Sequence, residues 1–514
     1  MEINRRIAEW ESVFPLAGVD NGYILSKRGD VTVGWELTLP VAFTVDTASY
    51  DAMLRSMASA VRALPDWSVV HRQDIYLEKE YMAADRPAFL DAAYERHFAG
   101  RRYLDGRHFL YLTRAGRASA LRPSDRCGLF GTALTDKFPT PEELGEFRAR
   151  SEEFIAVATA GGALRARRLT DADLVGEGGR GGLIEQVVTL GTGMLSDVAL
   201  SPECVRVGDV STVSFILSES DCLPSALKSV RRVDSMSSAT SEVDLCLAAQ
   251  VGLMLHDHPH ICNTYIVKDS QQGMLSELSR RTRRMRQFST DGANSVNADE
   301  NDSFVADSGS DSLCAVHAHS NVICWGADER ERLSIRSEVS AALSSMGVDA
   351  VRDIHSAPVI WYASLPGAET ELGRDHLMLT ELRAALALAQ YESFDRGLER
   401  GALRLTDRLR HVPLTLDVQA DAERANLVSN YNIFLDGASG TGKSFTTSSL
   451  LYNMYSYGEH VFIIDVGGSY EQVCAVVNEE SGGRDGIYSR WDNAHPFSFC
   501  PFLPLRGWVA RDGT

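Results

Sequence analysis

Apolar positions recur every second residue in several N-terminal stretches, and every third or fourth residue between them. The run "GYILSKRGDVTVGWELTL" (Gly22–Leu39) reads as two strands joined by a turn at Arg28-Gly29-Asp30. "SYDAMLRSMASAVRAL" (Ser49–Leu64) predicts a helix with Met53, Met57, Val61 and Leu64 on its buried face. "WSVVHRQDIYL" (Trp67–Leu77) and "HFLYLT" (His108–Thr113) predict further strands. Farther along, "TPEELGEFRARSEEFIAVATA" (Thr140–Ala160) predicts a helix opened by a capping box of Thr140 and Glu143. "VSTVSFIL" (Val210–Leu217) and "CNTYIVK" (Cys262–Lys268) have strand character, and "ADERERLSIRSEVSAALSSMG" (Ala327–Gly347) predicts a helix closed by glycine. No internal repeat is visible.

Breaks in this pattern suggest three parts. Residues 1–200 form an N-terminal α/β domain, with "GEGGRGGL" (Gly176–Leu183) as a flexible break near its end. Residues 201–403 form a second α/β part. Within it, the polar, acidic stretch 289–312 ("STDGANSVNADENDSFVADSGSDS") is expected to be a long flexible surface insert. Residues 404–514 form a third part with a different signature.

That signature is "FLDGASGTGKSFTTSSLL" (residues 434–451), which contains a complete G-x-x-x-x-G-K-[ST] phosphate loop. Glycines let successive backbone N–H groups point into an anion-sized nest, and the following helix adds the positive end of its dipole. The expected ligands are ATP and Mg²⁺. The candidate nucleotide-binding residues are Gly437, Ala438, Ser439, Gly440, Thr441, Gly442, Lys443, Ser444 and Phe445, with Lys443 on the β- and γ-phosphates and the Ser444 hydroxyl on Mg²⁺. The context is strand, loop, helix, strand: "NYNIFLD" (Asn430–Asp436), the loop, "SFTTSSLLYNMYSYG" (Ser444–Gly458) and "HVFIID" (His460–Asp465). Asp465 ends a Walker-B-like run but is followed by Val466-Gly467-Gly468, without the glutamate that activates water. It either partners Mg²⁺, or with Ser469 lines the nucleotide edge or holds the "GGSY" turn. No catalytic residue is assigned.

Composition narrows the classes. The net charge of −19, from 51 basic and 70 acidic residues, argues against a chain whose whole surface binds nucleic acid. No apolar run is long enough to span a bilayer, and "MEINRRIAEWESVF" has no apolar signal core. Nine scattered cysteines without a C-x-x-C suit a reducing compartment, so the expectation is cytoplasmic. The cluster "RRTRRMR" (Arg280, Arg281, Arg283, Arg284, Arg286) is a charged face, a contact for an acidic partner or DNA, or an internal partner of the acidic stretch. Two groups, Cys314/His317/His319/Cys324 and His256/His258/His260, lack a familiar metal-ligand spacing and read as strand and turn.

"NYNIFLDGASGTGKSF" followed by "HVFIIDVGGSYEQVC" resembles the TraG/TraC-type conjugal transfer ATPases of the type IV secretion system, the VirB-system ATPase family. The residues that carry it are Asn430, Asn432, the loop 437–444, Asp465, Gly467, Ser469 and Tyr470. Patchier similarity covers Gly29–Leu37, Leu64–Asp74, His97–Leu104 and Trp361–Gly367, the match is dense from 404 to 475 with Arg404–Val418 leading in, and "HPFSFCPF" (His495–Phe502) only loosely echoes a family segment. The resemblance implies a RecA-like P-loop domain in a homo-oligomer, a hexamer in the complete protein. It also implies a cytoplasmic chain peripheral to the inner membrane, docked on secretion-channel proteins and powering pilus assembly or DNA and protein transfer. The family's ATPase domain runs on for several hundred residues with its true Walker B Asp-Glu, whereas 70 residues follow Ser444 here. The chain therefore reads as C-terminally truncated with impaired hydrolysis, and whether it acts as an enzyme stays open. The alternatives are a non-enzymatic scaffold docked on the channel, or a P-loop DNA-translocating motor outside secretion.

Overall fold

The alternating runs pair into one antiparallel sheet. A computed structural model of the chain describes residues 13–490, apart from 43, 117–133, 136–137, 194–195, 218–221, 224–229, 235–236, 238, 240–241, 289–291, 310–312, 346, 350, 395–396, 398–402, 408–409, 418–422 and 424–428. Two units divide it. The first comprises Met1–Tyr81, Gly100–Arg396 and Asp407–Val412, and the second Met82–Ala99, Gly397–Thr406 and Pro413–Thr514.

The first unit opens with β1 (Leu16–Asp20), β2 (Tyr23–Ser26), β3 (Val31–Thr38), helix α1 (Thr47–Ala63) and β4 (Ser68–Glu80). A segment carrying α2 (Phe89–Phe98), which belongs to the second unit, precedes β5 (Arg102–Arg114). Then follow α3 (Pro141–Ala158), β6 (Arg165–Arg168), α4 (Leu183–Val188), β7 (Val198–Ser201), β8 (Cys204–Val207), β9 (Val210–Ile216) and β10 (His260–Lys268). The unit continues with α5 (Gln271–Phe288), α6 (Gly292–Gly309), β11 (Ala315–Gly326), α7 (Glu329–Ser345), β12 (Val351–Arg352), α8 (Ala357–Ala363) and β13 (Met378–Glu381).

The main path of the sheet runs β1-β2-β3-β5-β4-β10-β11-β9-β8-β7, with β6 on β3, β12 on β9 and β13 on β11. Helices and strands are mixed as the sequence predicts, but every pairing in this sheet is antiparallel. The sheet also joins strands from before and after residue 200, so the expected boundary there falls inside a continuous ladder. The reason is long-range pairing: β4 bonds to β10 from Ser68↔Lys268 to Tyr76↔His260, a register that short-range pattern cannot reveal.

Local chemistry explains the helices. Asp46 caps α1 by accepting from Ser49 N at 2.8 Å. The Thr140–Glu143 capping box at α3 is formed in both directions. Met53, Met57 and Val61 of α1 bury against Val33, Trp35, Leu110 and Leu112, together with Phe147 and Phe154 of α3. The opposite core packs Ile75, Phe109, Tyr111 and Ile261 against Leu169, Val187, Trp361 and Tyr362. Gly34 is required there, since a Cβ would lie 2.8 Å from both Leu169 Cδ1 and Tyr111 Cδ1.

A polar seam crosses this second core. His71 stacks on Tyr265 with ring centroids 4.2 Å apart. Its ring nitrogens face Glu369 Oε1 at 3.5 Å and Asn263 Oδ1 at 3.0 Å. Gln73 Nε2 donates to the same Asn263 oxygen at 2.9 Å, and Asn263 Nδ2 donates to Asn321 Oδ1 at 2.9 Å. Glu369 also accepts from Gly367 N and Thr113 Oγ1, each at 3.0 Å. Buried polar groups are expected to be bonded, and this row shows how.

The acidic stretch corrects the sequence reading most directly. Expected as a flexible surface loop, it is helix α6, packed against α5 as an αα-hairpin. Arg286 of α5 bridges Asp299 and Asp302 of α6 at 2.7 Å each. Ala298, Phe304 and Val305 supply the few apolar anchors, with Ala298 fully buried.

Candidate phosphate-binding site

The second unit gathers its parts from distant stretches of sequence. Strands β14 (Leu403–Thr406) and β15 (Pro413–Leu416) form a hairpin, followed by α9 (Lys443–Ser456) and α10 (Glu471–Glu480). Tyr452 of α9 hydrogen-bonds both carboxylate oxygens of Glu480 in α10, at 2.9 and 2.8 Å. Burial and then Glu480 push its phenol up to about 12. The same oxygen accepts from Phe89 N of α2 at 2.9 Å. Arg404 lies between Asp91 and Glu95 of α2 at 3.7 and 3.8 Å, with all three side chains no more than 7% exposed. Residues 82–99 thus belong with the phosphate loop rather than with the N-terminal domain in which the sequence reading placed them.

The loop has the geometry that its glycines permit. Gly440 and Gly442 have φ of 82° and 90°, a left-handed conformation natural to glycine. Gly442 is also the N-cap of α9, so the helix begins at Lys443 as the motif demands. The first hydrogen bond into the helix runs from Thr446 N to Gly442 O at 2.9 Å. Upstream of it, the N–H groups of Gly440, Gly442, Lys443, Ser444 and Phe445 have no acceptor among the described residues. Consecutive unpaired donors at a helix N-terminus make a cradle for an anion. A Cβ at Gly440 or Gly442 would meet nothing within 4 Å, so the mouth of the cradle is open.

Side chains complete the loop. Lys443 Nζ donates to Gly437 O and to Ala438 O, the latter at 2.9 Å. Its charge is therefore folded back over the loop, where a phosphate would compete for it. Thr441 Oγ1 donates to Ala438 O at 2.8 Å and closes the turn. Asp436, which the sequence reading assigned only to a strand, accepts from Gly437 N at 2.7 Å and fixes the entry to the loop. A carboxylate directly before the motif was the available signal for it. Ser444 and Phe445 are exposed at the start of α9, Phe445 by 81%. The nine predicted loop residues thus run through the glycine turn into the first turn of α9.

Two expectations are corrected. Neither Asn430–Asp436 nor His460–Asp465 is a strand, although each was predicted to be one. Phe434, Phe462, Ile464 and Val466 are 93, 81, 83 and 100% exposed. A parallel sheet needs cover on both faces, and no described strand lies beside either stretch. Local side-chain bonds take the backbone instead, such as Asn432 N donating to Asn430 Oδ1 at 3.0 Å.

Asp465 chooses between its two readings. Its carboxylate accepts from Tyr470 N at 3.0 Å, Gly467 N at 2.9 Å and Gly468 N at 3.0 Å. These backbone donors, Tyr470 first, hold it below the usual carboxylate range. It clasps the "GGSY" turn.

The remaining groups lie in the first unit. His317 and His319 lie on one face of β11 and Cys324 on the other, with Cys314 outside the strand. His319 Nδ1 bonds His376 O at 2.7 Å. His258 pairs with Glu338, and His260 bonds His258 O at 2.8 Å. The segment His495–Phe502 lies outside the described residues.

A left-handed glycine turn, a cradle of free N–H groups and a lysine at the first helical position define a protein of the P-loop class. Its kind follows from comparison. Residues 402–508 match the family model of the TraG P-loop domain, so this segment is similar to the P-loop domain of TraG-type conjugal transfer proteins. Residues 4–54 match a domain of unknown function described as a B. Theta gene description (DUF3875). No curated protein matches the chain. No helix among the described residues is long and apolar enough to cross a membrane.

Proposed function

We propose that residues 437–445 bind ATP with Mg²⁺, and that the chain is the ATP-binding component of a conjugative type IV secretion system. The observation that carries this reading is the set of unpaired N–H donors at Gly440, Gly442, Lys443, Ser444 and Phe445 within the segment matched to the TraG P-loop domain. On binding, the phosphates accept from these amides, and Lys443 exchanges its loop carbonyls for phosphate oxygens. Ser444 supplies the hydroxyl that holds Mg²⁺. The metal neutralises charge on the transferring phosphoryl group. Val466 rather than a glutamate follows Asp465, so water activation draws on other groups and turnover by this chain is slow. Channel proteins at the inner membrane, a hexameric ring, a RecA-like sheet and a cytoplasmic location belong to the same proposal.

The test is titration of the purified chain with a fluorescent ATP analogue, with and without Mg²⁺. Lys443→Ala removes charge-assisted hydrogen bonds worth about 1.5–3 kcal/mol, an affinity loss of about ten- to 150-fold. Equal affinity in both chains overturns the assignment. Fast, Lys443-dependent hydrolysis by the unaltered chain overturns only the statement about turnover.

A further inference from the structure

The αα-hairpin of the first unit carries two oppositely charged outer faces. On α5, Met274 and Thr282 are buried, and Leu275, Leu278 and Met285 are half-buried. At 3.6 residues per turn these positions fall on one side of the helix, Arg280, Arg283 and Arg284 fall on the other, and Arg281 lies at the edge between them. All four arginines are exposed, and none has a carboxylate within 4 Å among the described residues. Arg286 differs, since it turns to the flank and is held by Asp299 and Asp302. On α6, Ala298 and Ser308 are buried, while Asp302 is exposed on the flank facing Arg286 and Asp299, Glu300 and Asp307 are exposed on the side away from the buried pair. An open concavity of about 470 Å³ lies along that side, lined by Asp299, Glu300, Ser303, Phe304, Asp307 and Leu313.

We propose that the arginine face of α5 docks on the acidic face of α6 in a second copy of this chain. Charge complementarity selects the occupant. A nucleic acid drawn to the arginines would meet the carboxylates of the neighbouring helix and a chain of net charge −19. A second copy presents what those arginines lack, and its own arginines meet the first copy's carboxylates. Phe304 lies in the concavity as an aromatic surface beside an incoming guanidinium. The contact is a two-fold one in which each hairpin uses both faces. It does not rest on the nucleotide reading, because both helices lie in the first unit.

The test is sedimentation of the full chain in EDTA without nucleotide. At about 0.1 M salt the Debye length is about 10 Å, and at about 1 M about 3 Å, so the dimer weakens at least about tenfold. Two reversed chains sharpen the result. One carries Arg280→Glu, Arg281→Glu, Arg283→Glu and Arg284→Glu. The other carries Glu300→Lys and Asp307→Lys and keeps the Arg286 bridge intact. Each alone is expected to be a monomer, and an equimolar mixture a dimer, which also shows that both fold. A monomeric unaltered chain at low salt overturns the proposal, as does a dimer that survives either reversal or a mixture that stays monomeric. A monomer that binds duplex DNA through these arginines also overturns it and assigns the face to nucleic acid.

Discussion

Replacing Glu369 with alanine probes the polar seam beneath the sheet. The carboxylate and the His71 ring are both fully buried, 0% exposed. Glu369 accepts from Gly367 N and Thr113 Oγ1 at 3.0 Å and faces His71 Nδ1 at 3.5 Å. Thr113 has an alternative, because Thr32 Oγ1 lies 2.7 Å away. The Gly367 amide and the His71 ring have no replacement partner, and each buried orphan costs about 1–3 kcal/mol. The two orphans together give an expected loss of about 2–6 kcal/mol. Urea unfolding followed by tryptophan fluorescence reads it, since Trp325 and Trp361 lie in the same core. Glu203→Ala is the control. Glu203 is 57% exposed where it pairs with Arg352 and contributes no more than about 1 kcal/mol. A Glu369→Ala loss no larger than the control's refutes the view that this carboxylate holds the seam together.

Further outcomes follow from the same packing. Gly106→Ala sets a Cβ 2.6 Å from Tyr76 Cε1. That ring is pinned by stacking on His260 at 4.4 Å and by its bond to Gln390 Oε1 at 2.9 Å, so a loss of about 1–3 kcal/mol in urea unfolding is expected. Gly145→Ala in α3 meets nothing within 4 Å and is expected to stabilise slightly. Burial pushes His260 down to about 4 and His319 down to about 3. Both are therefore neutral in the fold, whereas the unfolded imidazoles protonate near about 6.5. Stability is flat above pH 7 and falls between about pH 6.5 and 4, by up to about 1.4 kcal/mol per pH unit for each histidine. Urea midpoints that do not fall between pH 7 and 5 contradict this.

Where physics is local, the sequence was readable. The capping box at Thr140, the turn at Arg28-Gly29-Asp30 and the phosphate loop all depend on residues within a few positions of one another. The acidic stretch 289–312 failed because its helix is completed by packing against α5, a pairing that the composition of the stretch does not announce. Asn430–Asp436 and His460–Asp465 failed in the opposite sense. Their composition is that of interior strands, but a strand exists only beside a partner, and none of the described residues supplies one. The parity of His71, Asn263 and Asn321 on one face was legible in each strand separately. Their meeting was not, because it depends on the β4–β10–β11 register.

The pairing of Arg404 with Asp91 and Glu95 bears on how such a chain changes over generations. Tyr94 and Leu405, which share a hydrogen bond, are 311 positions apart in sequence. A crossover that replaced the chain from residue 402 onward would import a buried arginine without the carboxylates that neutralise it. The phosphate loop is thus not a modular cassette: its inheritance is tied to a short helix, α2, that lies far upstream of it in the chain.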